Sequence, residues 1–448
     1  MTVPASPANS SSLERDARLV NARDDAIRPG DIAIGVIIGR TSEFFDFFVY
    51  AIASVLVFPS VVFPYVDALT GTLYSFALFS LAFIGRPLGT LLFTAIDRRH
   101  GRGAKLTIAI FLLGGSTMAI SLLPGHAQVG ALSAWLLGLF RLFQGIALGG
   151  AWDGLPSLLS LNAPRGKRGW YAMIPQLGAP LGLVIASTLF AYFLALLTPE
   201  DFLNWGWRYP FFVVLAINTV ALFARLRIVA TPEFQRAFES RELQPSPPFR
   251  TLLAEWRTIA LGAFAPLASF ALFHLVTVFP LSWVRLNTNV EPVRFLILEG
   301  IGAGICVLAI MASGFVADRV GRRAVLGVSA ALIGAYSGFA PQLLGAGELG
   351  EALYMLGGFV LLGLSFGQSS GAVNSSFPAV HRYTGAAIVG NSAWFIGAGF
   401  APLVALFLAS RFGLWTVGLY LLSGVLCTLI ALAINRDWAA RENAPTAR

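Results

Sequence analysis

Long apolar stretches alternate with short polar breaks along most of this chain. A helix that crosses a bilayer needs about 20 mainly apolar residues, because each residue advances about 1.5 Å through a hydrocarbon core about 30 Å thick. Twelve stretches meet this requirement, near residues 32–57, 69–96, 104–123, 131–158, 170–197, 206–228, 258–283, 293–316, 324–345, 350–376, 385–410 and 414–435. The pattern therefore predicts an all-α membrane protein with twelve transmembrane helices.

One interior polar break is much longer than the others and divides the predicted helices into two sets of six. It covers residues 229–257 and contains four prolines. We predict a six-helix bundle at 32–228, a central cytoplasmic loop at 229–257 and a second six-helix bundle at 258–435. Residues 1–31 and 436–448 are predicted to be cytoplasmic tails, the first of them disordered.

The two predicted bundles carry matching landmarks at nearly the same separation. The pairs are Gly101-Arg102 with Gly321-Arg322, Ala179-Pro180-Leu181 with Ala401-Pro402-Leu403, and Pro164 and Arg168 with Pro378 and Arg382. This repetition indicates that a six-helix unit was duplicated and that the bundles are pseudo-symmetric. Two such bundles facing each other across a central cavity are typical of transporters that alternate access by rocking.

The composition agrees with lipid as the surrounding solvent. Charged residues make up only 12% of the chain and the mean hydropathy is +0.73, whereas about 25% of the residues of a soluble domain are charged. The net charge is +8, but the basic residues lie in short loops, so we expect no nucleic-acid partner. The positive-inside rule places the arginine-rich loops and both termini in the cytoplasm.

The sequence lacks the motifs of common enzyme sites. It has no phosphate-binding glycine loop, no His-Glu-x-x-His pair and no serine nucleophile elbow. Both cysteines, Cys306 and Cys427, fall inside apolar stretches, so we expect neither a disulfide nor a metal site there. We predict that the chain is not an enzyme and that it needs no cofactor or metal.

Charged residues inside the predicted helices are the main indication of function. They are Arg40, Glu43 and Asp46 in helix 1, Arg86 in helix 2 and Arg141 in helix 4. An ionised side chain at this depth costs at least about 2.5–3.5 kcal/mol, so it must face a partner or a wet cavity. One interpretation is that these residues are paired ions that hold helices together. The other is that Glu43 or Asp46 takes up a proton and that Arg86 or Arg141 binds an anionic, carboxylate-bearing substrate.

The second half of the chain offers fewer polar groups within its predicted helices. His274 and Glu299 are predicted to lie near the outer ends of helices 7 and 8, where a partly hydrated group costs less free energy. A lone histidine in that place is more often structural than a ligand. Asn391 is a candidate substrate ligand, and we assign no site to the aromatic residues.

A charged motif between helices 8 and 9 predicts a gate. Asp318 can pair with arginines or cap a neighbouring helix, and Gly321 permits a tight turn. Such a contact would close the cytoplasmic side in one state and release it in the other. The alternative is an ordinary loop that follows the positive-inside rule.

Several of these segments resemble motifs of the major facilitator superfamily, and within it the metabolite–proton symporter family. They are Glu43-Phe44-Phe45-Asp46-Phe47-Phe48, Gly85-Arg86-Pro87-Leu88-Gly89, Arg141-Leu142-Phe143-Gln144-Gly145, Gln176-Leu177-Gly178-Ala179-Pro180-Leu181-Gly182, Gly206-Trp207-Arg208-Tyr209-Pro210-Phe211 and Arg382-Tyr383-Thr384-Gly385-Ala386. The resemblance implies the major facilitator fold in a bacterial inner membrane. It also implies import of small organic acids such as citrate, 2-oxoglutarate and shikimate, or of zwitterions such as proline and betaine, together with protons.

The resemblance also implies roles for individual residues in a transporter that works as a monomer. Glu43, Asp46 and Arg141 are expected to couple protons, while Arg40, Arg86, Arg141, Gln144 and Asn391 are expected to bind substrate. The gating residues are expected to be Asp97, Arg98, Arg99, Arg102, Asp153, Arg168, Asp318, Arg319, Arg322, Arg323 and Arg382. Export or antiport of a metabolite, and a non-transporting sensor, stay open as alternatives.

Two segments depart from the pattern of that family. In the loop between helices 2 and 3, Asp97 occupies the position of the family's glycine and Arg98 that of its aspartate. In helix 4 the family's glutamate is replaced by Ala151, and an acid recurs at Asp153. The first gate and the coupling are therefore expected to differ from those of other members.

Overall fold

A computed structural model describes residues 29–151, 159, 163–164, 166–229, 244–369 and 377–435. In these ranges the chain forms helices that we number as follows: α1 (Pro29–Leu56), α2 (Ala68–Ser121), α3 (Leu132–Gly150), α4 (Arg168–Leu196), α5 (Arg208–Val229), α6 (Pro248–Phe264), α7 (Leu267–Thr277), α8 (Phe279–Asn287), α9 (Pro292–Val320), α10 (Arg322–Leu343), α11 (Gly347–Phe366), α12 (Val380–Phe412) and α13 (Trp415–Ile434).

The described helices supply twelve membrane crossings. Ten helical segments among the described residues are long and apolar enough to cross a membrane, and α2 is one of them. The 54 residues of α2 extend over about 80 Å, enough for two crossings, and the φ of 80° at Gly101 marks the turn between them. Helix α1 adds the twelfth crossing, because its 28 residues extend over about 42 Å although Arg40, Glu43 and Asp46 interrupt the apolar pattern.

The seventh crossing is divided into α6, α7 and α8. Pro266 precedes α7, and Pro280 lies at the start of α8, where Val278 has non-helical backbone angles. Proline has no amide hydrogen to donate and therefore interrupts a helix. Residues 267–284 are almost entirely buried, so this crossing lies inside the molecule rather than against lipid.

Helix boundaries differ from the sequence-based predictions in a few places. Helix α6 begins at Pro248, ten residues before the predicted start of helix 7, so part of the predicted central loop is helical. Proline fits the first turn of a helix, where its missing amide hydrogen is not needed. Helix α3 ends at Gly150, and residues 152–158 of the predicted stretch lie outside the described residues.

Glycines allow α2 and α3 to pack in direct backbone contact. A Cβ atom at Gly145 would lie 2.2 Å from the carbonyl oxygen of Ala82, and one at Gly149 would lie 2.3 Å from that of Arg86. Small residues at such positions let transmembrane helices approach closely. This contact fixes the relative positions of Arg86 on α2 and Arg141 on α3.

Candidate functional site

A cavity of about 360 Å³ lies where α1, α2 and α3 of the first bundle meet α12 of the second. Its lining combines charged and aromatic side chains. The lining residues are Arg40, Glu43, Phe44, Phe47, Ala82, Phe83, Arg86, Leu148 and Trp394. Three residues that the sequence indicated for substrate or protons, Arg40, Glu43 and Arg86, are thus brought together.

Arg86 is the cation in this cavity without an acidic partner. Its guanidinium carbon lies 5.6 Å from the ring centroid of Trp394, within the range of a cation–π contact. Its Nε is buried and has no hydrogen-bond acceptor. Within the described ranges no carboxylate lies at ion-pair distance from Arg86. The side chain therefore has unused hydrogen-bonding capacity directed at the cavity.

Glu43, in contrast, is neutralised twice. Its Oε2 lies 2.5 Å from Nη1 of Arg40 on the same helix, and its Oε1 lies 2.5 Å from Nη2 of Arg225 on α5. Arg225 also donates from Nη1 to the carbonyl oxygen of Ala151 at 3.1 Å. Gly39 permits this approach, since a Cβ there would lie 2.4 Å from Nε of Arg225. The interpretation as paired ions that connect helices therefore fits Glu43.

Sequence reasoning missed Arg225. The available signal was a pair of cations, Arg225 and Arg227, near the inner end of an otherwise apolar stretch. Such a pair also fits loop-proximal arginines placed by the positive-inside rule, so the sequence alone did not distinguish the two cases. Only the packing of α5 against α1 shows that the side chain is buried and paired with Glu43.

Asp46 belongs to a separate buried network one turn further along α1. Thr117 donates to both carboxylate oxygens, at 2.8 and 3.0 Å, and Nε2 of Gln144 donates to Oδ1 at 3.1 Å. Nη1 of Arg141 donates to Oε1 of the same Gln144 at 3.0 Å. Gln144 thus connects Asp46 with Arg141, although no direct ion pair joins the two charges among the described residues.

Aromatic rings and a backbone oxygen hold Arg141 in place. Its guanidinium carbon lies 4.0 Å from the ring centroid of Tyr50 and 4.7 Å from that of Phe79, whose carbonyl oxygen accepts from Nε at 3.2 Å. Cation–π contacts of this kind stabilise a guanidinium away from water. Arg141 is almost fully buried and does not line the cavity. It can therefore respond to Asp46 through Gln144 without touching the contents of the cavity.

Two predictions about the second bundle were wrong. His274 and Glu299 were expected near partly hydrated helix ends, but both are fully buried. The His274 ring stacks on Phe47 with centroids 5.2 Å apart, and neither ring nitrogen has a hydrogen-bond partner. Glu299 accepts a hydrogen bond from Ser187 on α4. His274 is buried because the seventh crossing lies inside the molecule, and Glu299 because α9 packs against α4 of the other bundle; periodicity reveals neither.

The aromatic residues have a larger role than the sequence indicated. Phe44, Phe47, Phe83 and Trp394 line the cavity, although none was assigned to a site. Asn391, expected to bind substrate, instead donates from Nδ2 to Oγ1 of Thr90 at 2.7 Å and connects α12 with α2. It is not among the lining residues in this conformation.

Asp318 makes the helix-capping contact that its motif indicated. Its Oδ1 accepts from the backbone amides of Gly169 at 2.6 Å and Trp170 at 3.3 Å, in the first turn of α4. A carboxylate at a helix N-terminus is favoured by the exposed amides and by the helix dipole. Since α4 belongs to the first bundle and α9 to the second, this contact joins the bundles.

The related motif at the Gly101 turn joins the bundles in a different way. Asp97 lies 3.3 Å from Arg102 and 3.6 Å from Lys105 within its own bundle. Nζ of Lys105 donates to the hydroxyl of Tyr383 on α12 at 2.8 Å, and the guanidinium of Arg102 lies 4.5 Å from the centre of that ring. The altered loop therefore still reaches the opposite bundle, through cations and a tyrosine.

The other predicted gating residues that the structure describes lie at the same end of the molecule, which we call the paired-loop end because it carries the turns at Gly101 and Gly321. Arg319 stacks on Phe315, Arg323 donates to the carbonyl oxygen of Leu432, and Arg322 is buried. Arg98 and Arg99 are exposed, whereas Arg168 and Arg382 are partly buried. Asp153 lies outside the described residues.

Comparison with known proteins identifies the family. Residues 32–245 match the family model described as sugar (and other) transporter. The chain is 36% identical to the inner membrane metabolite transport protein YhjE of Escherichia coli K12, over 95% of this chain and 96% of that protein. It is 29% identical to the shikimate transporter of Escherichia coli K12, over 94% of this chain and 99% of that protein.

A solved structure supports the fold. The D-xylose–proton symporter superposes with a TM-score of 0.68 at 17% identity, covering 90% of this chain and 96% of that one. At this identity the likeness concerns the fold alone, and it confirms the predicted twelve-helix arrangement. The relatives are transporters, which confirms that the chain is not an enzyme. The chain belongs to the metabolite transporters of the major facilitator superfamily, which are integral membrane proteins.

Proposed function

We propose that this protein imports a small, carboxylate-bearing metabolite together with protons, by alternating access. The observation that carries the substrate class is the free guanidinium of Arg86 in the central cavity. With Arg40 it gives the lining two positive charges against the single negative charge of Glu43, which Arg225 neutralises further. A cavity with excess positive charge favours an anion.

The geometry favours an organic acid over a zwitterion with a quaternary ammonium group. A guanidinium can bind a carboxylate through two parallel hydrogen bonds, which fixes the orientation of the substrate. Guanidinium groups already lie over two rings of the lining, Arg86 over Trp394 and Arg40 over Phe44. A second cation at those faces would meet like charge, whereas an apolar or cyclic body fits against Phe47 and Phe83. The relative named a shikimate transporter agrees with this choice.

We assign proton coupling to the network of Asp46, Thr117, Gln144 and Arg141. Ionised Asp46 accepts from Thr117 and Gln144, and this orientation of the Gln144 amide presents its oxygen to Arg141. A proton on Asp46 removes acceptor capacity and turns the carboxyl group into a donor. The Gln144 amide then loses one partner, and Arg141 changes its contacts in turn. Glu43 serves instead to hold Arg40 and Arg225 beside the cavity.

The contacts between the bundles at the paired-loop end supply the gate. Two contacts must break when that end opens: the one between Asp318 of α9 and the first turn of α4, and the one between Lys105 and Tyr383. We place this end and both termini in the cytoplasm of a bacterial inner membrane, following the arginine-rich loops. The transporter acts as a monomer and needs no cofactor, since the proton gradient supplies the free energy.

Uptake into proteoliposomes tests this function. The panel contains shikimate, 2-oxoglutarate, citrate, proline and betaine, each with and without an inward proton gradient. We expect accumulation of a carboxylate only with the gradient, and its loss in Arg86→Ala. Gradient-driven efflux would instead show an exporter or antiporter, and binding without flux would show a sensor.

A further inference from the structure

Glu299 is a buried acid that the proposed coupling network does not use. It lies on α9 of the second bundle, and Ser187 lies on α4 of the first, both with 0% of their surface exposed. Oγ of Ser187 donates to Oε2 of Glu299 at 2.9 Å, while Oε1 is buried without a hydrogen-bond partner. The pair therefore joins the two bundles through a single hydrogen bond to a carboxyl group.

The surroundings of Glu299 contain no cation that could balance an ionised carboxylate. Titratable side chains on the neighbouring helices are exposed or have other partners. On α11, Glu351 faces Arg294, and the Tyr354 hydroxyl donates to the carbonyl oxygen of Leu275. On α10, the Tyr336 hydroxyl donates to the carbonyl oxygen of Tyr354. Tyr192 on α4 and Arg285 on α8 are exposed. In the described part of the chain, Ser187 is the polar side chain that contacts this acid.

This environment differs from that of the other buried acids in the described part of the first bundle. Asp46 accepts three hydrogen bonds from Thr117 and Gln144, and Gln144 in turn contacts Arg141. Glu43 has two arginines, and Asp97 has an arginine and a lysine. A carboxylate with such partners stays ionised, whereas one without a cation in an apolar interior is too unfavourable to persist. Glu299 is therefore stable between the closed bundles only as the neutral acid. If the bundles separate and water reaches it, it can ionise.

The position of Glu299 on α9 fits ionisation of its carboxyl group when the bundles separate. Glu299 and Asp318 are nineteen positions apart on α9, about 28 Å along the helix axis, so Glu299 lies at the end opposite the paired loops. Further inward, Leu183 on α4 and Cys306 on α9 line a small apolar pocket that α1, α7 and α11 also border.

We propose that Glu299 is a second proton-binding group of the transport cycle, loaded when the end opposite the paired loops opens and held between α4 and α9 when that end closes. Its place in a transport cycle rests on the proposed proton coupling. Proton binding that is linked to closure, however, can be tested without any substrate.

The experiment measures the distance between the bundles at the end opposite the paired loops as a function of pH. Spin labels are attached at Ala127→Cys and Asn289→Cys, two exposed positions on different bundles, in a background without Cys306 and Cys427. Because one proton is taken up on closing, the ratio of closed to open molecules should change up to about tenfold per pH unit. We expect the short distance at low pH and growth of the longer one as the pH rises.

Glu299→Gln should abolish this pH dependence and keep the distance short, since glutamine preserves the shape and cannot ionise. Matched Glu348→Gln removes an exposed acid on α11 and should leave the dependence unchanged. A pH-independent distance in the unsubstituted chain, or full pH dependence in Glu299→Gln, would overturn the proposal. So would a dependence that disappears in Asp46→Asn and persists in Glu299→Gln.

Ser187→Ala provides a second test if Glu299→Gln does not fold. The substitution removes the hydrogen bond that accompanies the neutral acid in the closed state, so closure should require a lower pH. The midpoint should fall by up to about one pH unit, the amount expected for one ordinary hydrogen bond. An unchanged midpoint would contradict the role of this contact. Failure of uptake with an intact pH-dependent distance would count against the proposed function alone.

Discussion

Asp318→Asn tests the gate at the paired-loop end most sharply. The carboxylate of Asp318 accepts from the amides of Gly169 and Trp170 and so ties α9 to the first turn of α4. Asparagine keeps a carbonyl acceptor at nearly the same place and removes only the charge. The substitution should therefore weaken the closed state of this end without creating a cavity or a clash.

The size of the effect follows from the two hydrogen bonds. Hydrogen bonds to charged groups contribute about 1.5–3 kcal/mol and those between neutral groups about 0.5–1.5 kcal/mol, so the loss should be about 1–2 kcal/mol. Such a loss raises the ratio of molecules open at the paired-loop end to molecules closed there about 5- to 30-fold. Because Asp318 is partly exposed and water screens its charge, we expect the lower end, about fivefold.

The accessibility of a buried cysteine measures this ratio. Ser369→Cys, in a background without the two native cysteines, places a nearly isosteric thiol at a buried position between the bundles, where the Ser369 hydroxyl contacts Gln176 of α4. Its rate of alkylation by a membrane-impermeant maleimide should rise about fivefold in Asp318→Asn.

The control for this prediction is Asp67→Asn. Asp67 also caps a helix, accepting from the amide of Thr70 at 3.0 Å. It precedes the first turn of α2, at the end of the molecule opposite the paired loops, and its contact stays within one bundle. Its substitution should leave the alkylation rate of the Ser369→Cys probe unchanged. Equal labelling in Asp318→Asn and in the unsubstituted chain would refute the reasoning that this cap holds the bundles together.

Three further predictions concern the cavity, the coupling network and the packing of the first bundle. Arg86→Lys should raise the KM for the carboxylate at least about tenfold with a smaller effect on kcat, because lysine cannot form the bidentate contact; an unchanged KM in uptake assays would remove Arg86 from the substrate site. Asp46→Asn should abolish gradient-driven accumulation and preserve exchange of substrate across the membrane; loss of both would indicate a structural role. Gly145→Ala should destabilise the protein by about 1–3 kcal/mol, since its Cβ would overlap the carbonyl oxygen of Ala82; an unchanged Tm would contradict the close contact of α2 and α3.

The fold and the charged centre of the site could be predicted from the sequence for clear physical reasons. Lipid requires long apolar helices, and their lengths alone indicate twelve crossings. The charges of Glu43, Asp46 and Arg86 are costly in that setting, so their presence indicates a cavity or a partner. Asp318 was recognisable because acid, glycine and arginine at that spacing fit a helix cap and a turn.

The partners of these charges could not be predicted. Glu43 pairs with Arg225, which is 182 positions away in the chain and adjacent only because α5 packs against α1. His274 is buried because the seventh crossing, which prolines divide, lies inside the molecule, and Glu299 is buried because α9 packs against α4 of the other bundle. Apolar periodicity is the same for a residue that faces lipid and one that faces protein, so it does not separate these cases.

Coupled flux of substrate and protons tests the central claim most directly. Proteoliposomes with a trapped pH-sensitive dye and no initial pH gradient receive the carboxylate that accumulates in the uptake panel. The account predicts acidification of the lumen as substrate enters, and its absence in Asp46→Asn. Entry of substrate without acidification, or alkalinisation of the lumen, would contradict proton-coupled import.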